Sequence, residues 1–514
     1  MRILLFFLFF QSAAFCQQAP NIIYIMSDDH DADAISAYNK RFVNTPNIDR
    51  IAREGMLFTK AFVGNSICSP ARATLLTGQH SHKNAIKDNR TIFDTSKTTM
   101  PLLLQLAGYQ TALIGKWHLH SYPTGFDYWK ILPGQGVYND PKMITMTGDT
   151  ITEKGYTTDV ITKQAIQWLD QRTKNKPFLL LLHHKAPHRN WIPPLKFLQT
   201  TSNRMYPEPP TLYEDMTLHS KAWQDQQMSI LKDMSLCTDL KIDPIYLENI
   251  PEFKTTKEEA KEYASIFARI PEDERNAMKG IYAERGRLVQ KYYTNKKKLL
   301  ALKYQWYMQD YMACVSSIDE NTGELLDYLD KNGLTNNTLV IYTGDQGFYL
   351  GENGWFDKRW MYDVSMGAPL LMRWPGKIKA GMISDELVQN IDFAPTMLDV
   401  AGVSIPSWMQ GISLRAAMQD SKVKLLRSYL YYHYYEYPED HHVAPHLGIR
   451  GKQYKLIYFY TYNEWELYDL VKDPSEQHNL IHSTKYASLV RRYKNELLKL
   501  RDQYDDHEVA GELH

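Results

Sequence analysis

Four short apolar runs punctuate the chain: Asn21-Ile-Ile-Tyr-Ile-Met26, Thr111-Ala-Leu-Ile-Gly115, Phe178 to Leu182 and Thr338-Leu-Val-Ile-Tyr342. None alternates with polar residues and each stops at a polar segment, which predicts strands buried on both faces. Between them, stretches such as Met100–Leu106 and Val160–Leu169 carry the apolar spacing of helices. The alternation predicts an α/β fold built on a mostly parallel sheet. Such sheets bind ligands beyond the carboxyl ends of their strands, so Asp28, Asp29, Lys116, His118, His184, His188 and Asp345 are expected on one rim.

Two regions break the pattern. From about Asn203 to Asn295 the alternation lapses and charge becomes dense, with Lys257–Glu262 and Pro271–Arg275 reading as helical insertions and Lys296-Lys-Lys298 as a solvated helix start rather than a polyanion-binding patch. After about Val423 the chain turns aromatic, with Tyr429–Tyr437 and Tyr454–Tyr460 reading as strands before a helical tail, Ala487–Gln503. Aromatic residues on strands are most simply core. The expected layout is a catalytic domain over 17–422, interrupted by a helical insertion at about 203–300, and a smaller C-terminal α+β domain over 423–514.

The first residues set the compartment. Arg2 precedes the apolar run Ile3–Phe10 and then Gln-Ser-Ala-Ala-Phe-Cys16, the layout of a secretory signal over 1–16 and too short to span a bilayer. Phe15 sits where a lipoprotein cut needs a small residue, so soluble export to the periplasm or beyond is expected rather than a lipid anchor. Of the four cysteines, removal of the signal leaves Cys68, Cys237 and Cys314, too few for a disulfide framework. Lys plus Arg and Asp plus Glu each number 59, so the net charge is zero and no footprint for nucleic acid or an anionic membrane exists. With 514 residues and 44% apolar residues, the chain has enough material for a large core.

Within this frame three constellations carry chemistry. Cys68-Ser-Pro-Ala-Arg72 runs into Ala73-Thr-Leu-Leu-Thr-Gly78, where Pro70 suits a first helical turn and Gly78 a helix end. Cys68 therefore lies at a helix N-terminus with Arg72 one turn on, a setting for an oxyanion. Taken alone, a cysteine in such a place is more often buried and inert. Asp28, Asp29, Asp345 and Gln346 form an all-oxygen set whose like charges call for a cation, calcium or magnesium rather than zinc. Lys116 and His118 lie two apart on a strand-like segment and share a face. The segment His183-His-Lys-Ala-Pro-His188 offers both His184 and His188.

The Cys-x-Pro-x-Arg run with its Leu-Leu-Thr-Gly continuation resembles the signature of the type I sulfatases. Matching fragments follow in order: Ser27-Asp-Asp29, Thr45-Pro-Asn-Ile-Asp49, Gly115-Lys-Trp-His118 and Thr343-Gly-Asp-Gln-Gly347. The resemblance spans nearly the whole chain and implies an alkaline-phosphatase-like architecture, a large mixed sheet sandwiched by helices with a smaller antiparallel sheet and helix at the C-terminus. It implies that a separate maturase converts Cys68 to formylglycine, whose hydrated aldehyde attacks the sulfur of a sulfate ester. It further implies one calcium ion held by Asp28, Asp29, Asp345, Gln346 and the residue-68 oxygen. Arg72, Lys116 and Lys358 are then sulfate-binding cations, His118 acts on the residue-68 hydroxyls, and His188, with His184 as the alternative, is the general acid, with a pKa expected near the working pH.

The substrate rests on shorter matches. His184-Lys-Ala-Pro-His-Arg-Asn-Trp191, Gly354-Trp-Phe-Asp-Lys-Arg-Trp-Met-Tyr362 and His446-Leu-Gly-Ile-Arg450 are similar to the glycosaminoglycan branch, most of all the N-acetylglucosamine-6-sulfatases. This implies exo-acting 6-O-desulfation of heparan-type fragments, with Asp357, Arg359 and His446 reading the sugar. Uronate-2-O-sulfatases, N-sulfoglucosamine sulfatases and a noncatalytic calcium-dependent sugar binder are the alternatives.

Overall fold

A computed structural model describes residues 19–508 and residue 513. The expected signal over 1–16, with Cys16, lies outside the described residues. All four apolar runs form strands, Asn21–Ser27, Gln110–Lys116, Phe178–His183 and Thr338–Gly344, at the centre of a ten-stranded mixed sheet. Asn21–Ser27 pairs in parallel with Phe178–His183 on one side and Thr338–Gly344 on the other, and Gln110–Lys116 pairs in parallel with Phe178–His183. Short strands finish both edges, among them Met56–Phe58 and Leu370–Arg373, which pair antiparallel.

Each central strand feeds two cores because its side chains alternate between faces. Ile23 and Ile25 pack with Ile48, Ile161 and the long helix Lys296–Lys331 on one face. Ile22, Tyr24 and Met26 pack on the other with Leu75, Leu76, Leu104 and Met397 from helices Cys68–Thr77, Met100–Leu106 and Phe393–Val400. The charged stretch holds the helices Lys257–Ala268 and Glu272–Tyr292, and Lys296 to Lys298 form the exposed start of Lys296–Lys331.

The aromatic C-terminal region is a four-stranded antiparallel sheet, Tyr429–Tyr434, His446–Gly451, Tyr454–Phe459 and Glu464–Asp469. Helix Ala487–Tyr504 covers one face through Tyr493, Leu497 and Tyr504. The other face sets Tyr432, Tyr434, Ile457 and Phe459 against Trp355, Trp360 and Met361, so the second sheet props the loop that carries Lys358. One glycine is required where the strands meet the site. Gly115 has φ +110°, and a Cβ there would lie 2.0 Å from the His183 carbonyl oxygen.

Candidate active site

The carboxyl ends of the central strands deliver the predicted rim. Asp28 and Asp29 follow the first strand, and Asp345 and Gln346 follow Thr338–Gly344, which pairs with it in register. The Asp29 backbone N–H donates to Asp345 Oδ1 at 3.0 Å, locking the two strand ends together. Helix Cys68–Thr77 points its N-terminus at them, with its end fixed by Gly78 in the left-handed conformation. Cys68 Sγ donates to Asp28 Oδ1 at 3.3 Å, and ligand atoms of Asp28, Asp29, Cys68 and His188 lie within 4.8 Å of one another.

Three cations interleave with the acids. Arg72 Nη2 contacts Asp345 Oδ2 at 3.0 Å and Asp28 Oδ2 at 3.8 Å, Lys116 Nζ pairs with Asp28, and Lys358 Nζ reaches Asp29 Oδ1 and Oδ2 at 2.6 and 2.8 Å. All of these side chains are buried. Burial opposes ionisation of Asp28, yet Lys116, then His188, Arg72 and Lys358, hold it well below the usual carboxylate range. Burial lifts Asp29 to about 7 against the pull of Lys358, with Asp28 and Asp345 adding to the rise, and burial with Asp28 lifts Asp345 to about 6. Three adjacent carboxylates thus resist ionising together, the state a divalent cation relieves.

The donor set fits such a cation. Gln346 Nε2 donates to Asp29 Oδ1 at 2.5 Å, but no donor reaches its buried Oε1. That oxygen and the carboxylates of Asp28, Asp29 and Asp345 make a hard, all-oxygen site suited to calcium. The Cys68 thiol is unsuited to act by itself. Burial, followed by the Asp28 carboxylate, pushes it well above the ordinary thiol range, so it does not form the thiolate that nucleophilic cysteines use.

The histidines separate. His188 Nε2 lies 3.7 Å from Asp29 Oδ2, and Nδ1 contacts the Arg189 carbonyl oxygen at 2.6 Å. A carbonyl only accepts, so Nδ1 carries a proton and Nε2 is the position that gains or loses one. Burial, with Lys116 next, holds the ring well below its ordinary range, so the expectation of a pKa near the working pH fails for the free protein. His184 lies outside the cluster, its Nδ1 is without a partner, and burial pulls it down to about 3. His118 has φ +55° and is tied to helix Cys68–Thr77, where Ser69 Oγ donates to the His118 carbonyl at 2.6 Å and contacts its Nδ1 at 3.3 Å.

Asp357 and Arg359 flank Lys358 as expected, both in left-handed backbone with φ +77° and +94°. Arg359 pairs with Asp357 at 3.3 Å and with Glu436 from the second sheet, while Asp357 Oδ2 meets His441 Nε2 at 3.2 Å. The structure does not bring His446 to the site. Its Nδ1 contacts the Ala444 carbonyl oxygen at 2.7 Å, its Nε2 accepts from the Met361 N–H at 3.0 Å, and its fully buried ring stacks on Tyr432. With both nitrogens spent on backbone, it shapes the loop beneath Lys358 and cannot read a sugar.

Several contributors escape a sequence reading. Gln135 accepts from Lys116, Asn89 Oδ1 accepts from the Ser69 N–H at 3.0 Å, and Glu436 accepts from the Asn89 N–H at 3.1 Å. The one available signal was Gln135 between Gly134 and Gly136, both with positive φ.

Comparison with known proteins gives the family of the chain. A family model described as Sulfatase matches residues 20–403, and one described as N-sulphoglucosamine sulphohydrolase, C-terminal, matches 351–503. The chain belongs to the sulfatase family. This sulfatase, a sulfuric ester hydrolase, is 44% identical over 495 residues to an N-acetylglucosamine-6-O-sulfatase of Bacteroides thetaiotaomicron, covering 95% of this chain and 87% of that one. It superposes with TM-score 0.91 and 43% identity on BT4656 solved in complex with its substrate D-glucosamine-2-N,6-O-disulfate, over 96% of this chain and all of that one. A phosphonate monoester hydrolase of Agrobacterium radiobacter, 19% identical with TM-score 0.69 over 94% of this chain and 96% of that one, shares the alkaline-phosphatase-like fold.

Proposed function

We propose that this sulfatase removes the 6-O-sulfate of N-acetylglucosamine at the end of heparan-type fragments. The observation that carries the reading is the 44% identity over 95% of the chain to an N-acetylglucosamine-6-O-sulfatase. The buried site supports it, with three acids and three cations gathered around Cys68. Residues 17–422 are proposed to carry the chemistry and 423–514 to complete the pocket, in an exported protein. No helix among the described residues is long and apolar enough to cross a membrane.

Asp28, Asp29, Asp345, Gln346 and the residue-68 oxygen would hold a calcium ion, which when bound supplies positive charge where the sulfate oxygens gain negative charge. Formylglycine at position 68, made by a maturase, would supply the hydrated-aldehyde nucleophile. The chain's own residues do the rest. Arg72, Lys116 and Lys358 bind the sulfate and counter its charge, and none of them needs a proton transfer to do so. His118, pinned by Ser69, would polarise the residue-68 hydroxyls. The incoming sulfate offsets the cations around His188 and raises its proton affinity, so Nε2 gains the proton that the departing sugar oxygen needs. Asp357 and Arg359, held by His441 and Glu436, would bind sugar hydroxyls.

Sulfate release is to be measured on 6-O-sulfated N-acetylglucosamine, N-sulfated glucosamine, a 2-O-sulfated unsaturated uronate disaccharide and an aryl sulfate. Selective release from the first is expected, and selective release from either of the next two would replace this reading with another glycosaminoglycan sulfatase. Removing divalent cations with a chelator is expected to abolish turnover and lower the melting temperature by a few degrees, with calcium restoring both. A ligand at 100 times its Kd stabilises by about 2.7 kcal/mol. Unchanged melting and turnover after chelation would exclude the proposed ion.

A further inference from the structure

A cavity of about 410 Å³ opens beside His188, and Lys185 lines it together with Arg189 and Arg269. Lys185 is only 4% exposed. Its ammonium lies 4.8 Å from the centre of the Tyr138 ring and donates to the Arg189 carbonyl oxygen at 3.4 Å, and among the described residues no carboxylate pairs with it. The nearby carboxylates of Asp28 and Asp29 are engaged by Lys116 and Lys358. Other buried lysines are provided for: Lys241 pairs with Asp310, Lys455 with Asp363 and Glu476, and Lys303 donates to the carbonyls of Leu231 and Met234 at 3.0 and 2.7 Å. Arg189 is neutralised by Asp239 at 2.7 Å.

A buried ammonium with one long hydrogen bond is costly unless something else pairs with it. The rim acids of this cavity, Glu262 and Asp440, are exposed, so Lys185 is the charge at its inner end. His188 lines the same cavity, so with His188 as the proposed general acid the sugar on the leaving oxygen extends toward Lys185. We propose that Lys185 binds a second anionic group of the substrate, a sulfate or carboxylate carried by the leaving sugar or its neighbour. This rests on the sulfatase reading above and adds to it a preference for multiply charged substrates. Burial, and then Lys116, draws the Lys185 ammonium down to about 8, and an anion in contact with it favours the charged form.

The test compares Lys185→Met, which keeps the apolar stem over Tyr138, with Lys185→Arg and the wild type. The substrates are 6-O-sulfated N-acetylglucosamine, glucosamine 2-N,6-O-disulfate, and 6-O-sulfated N-acetylglucosamine linked to a uronate. Lys185→Met is expected to lose about tenfold or more in kcat/KM on a doubly charged substrate while changing little on the first, with Lys185→Arg recovering part of the loss. Loss confined to the disulfate assigns the N-sulfate, and loss confined to the uronate conjugate assigns the carboxylate. Equal loss on all three, or no loss on either doubly charged substrate, overturns the proposal. Should the wild type release sulfate from none of them, the proposed function falls, and calorimetric binding of the doubly charged ligands then decides. Weaker binding by Lys185→Met upholds the Lys185 assignment, and equal binding removes it.

Discussion

Replacing Cys68 with alanine is expected to reduce sulfate release by on the order of 10^4-fold or more, because loss of a covalent nucleophile costs nearly all of the rate. The fold should persist. Cys68 is fully buried, and in the unconverted chain alanine removes only the sulfur and its donated bond to Asp28 at 3.3 Å, about 1 kcal/mol and a small cavity term, whereas in the converted chain it removes one proposed ligand of the ion and leaves Asp28, Asp29, Asp345 and Gln346. The variant should therefore give an unchanged circular dichroism spectrum and a melting temperature within a few degrees of wild type, alongside no detectable sulfate. Burial and then Asp28 push the unmodified thiol well above the ordinary thiol range, which disfavours it as a nucleophile. Wild-type preparations should accordingly show activity in proportion to the fraction of residue 68 that mass spectrometry finds converted. Retained turnover in the alanine variant would end the proposed mechanism.

The rim of the site was readable because parallel strands gather distant residues at one end. Asp28, Lys116 and Asp345 follow three apolar runs that pair side by side through Phe178–His183 and directly, so the order of runs predicted a cluster without any contact being known. Helix Cys68–Thr77 was marked by Pro70 and Gly78. The edge strands were not marked. Met56–Phe58 and Met382–Ser384 are three residues each, too short to show a period, and the sheet itself recruits them. His446 misled for a related reason. Its local sequence matched a substrate-reading pattern, but strand register sets it opposite Tyr434 and turns its ring toward Trp360, where Ala444 and Met361 take both nitrogens. Glu436 and His441 meet Arg359 and Asp357, whose left-handed backbone no composition or spacing reveals.

His188→Ala is expected to lower kcat/KM on 6-O-sulfated N-acetylglucosamine by about 10²- to 10³-fold, the usual range for a general acid, while an aryl sulfate loses less than about tenfold. The difference follows from the leaving group. A sugar alkoxide is a strong base and departs only with a proton, whereas a phenolate carries its charge away unaided. The geometry assigns that proton to one atom, since the Arg189 carbonyl at 2.6 Å fixes the Nδ1 proton and Nε2 faces the carboxylate cluster. His184, its Nδ1 unpartnered and its ring outside the cluster, should show no such selectivity when changed to alanine. Equal losses on sugar and aryl substrates in the His188 variant would mean that the ring only shapes the sulfate pocket. A leaving-group-selective loss in the His184 variant instead would transfer the acid to that histidine.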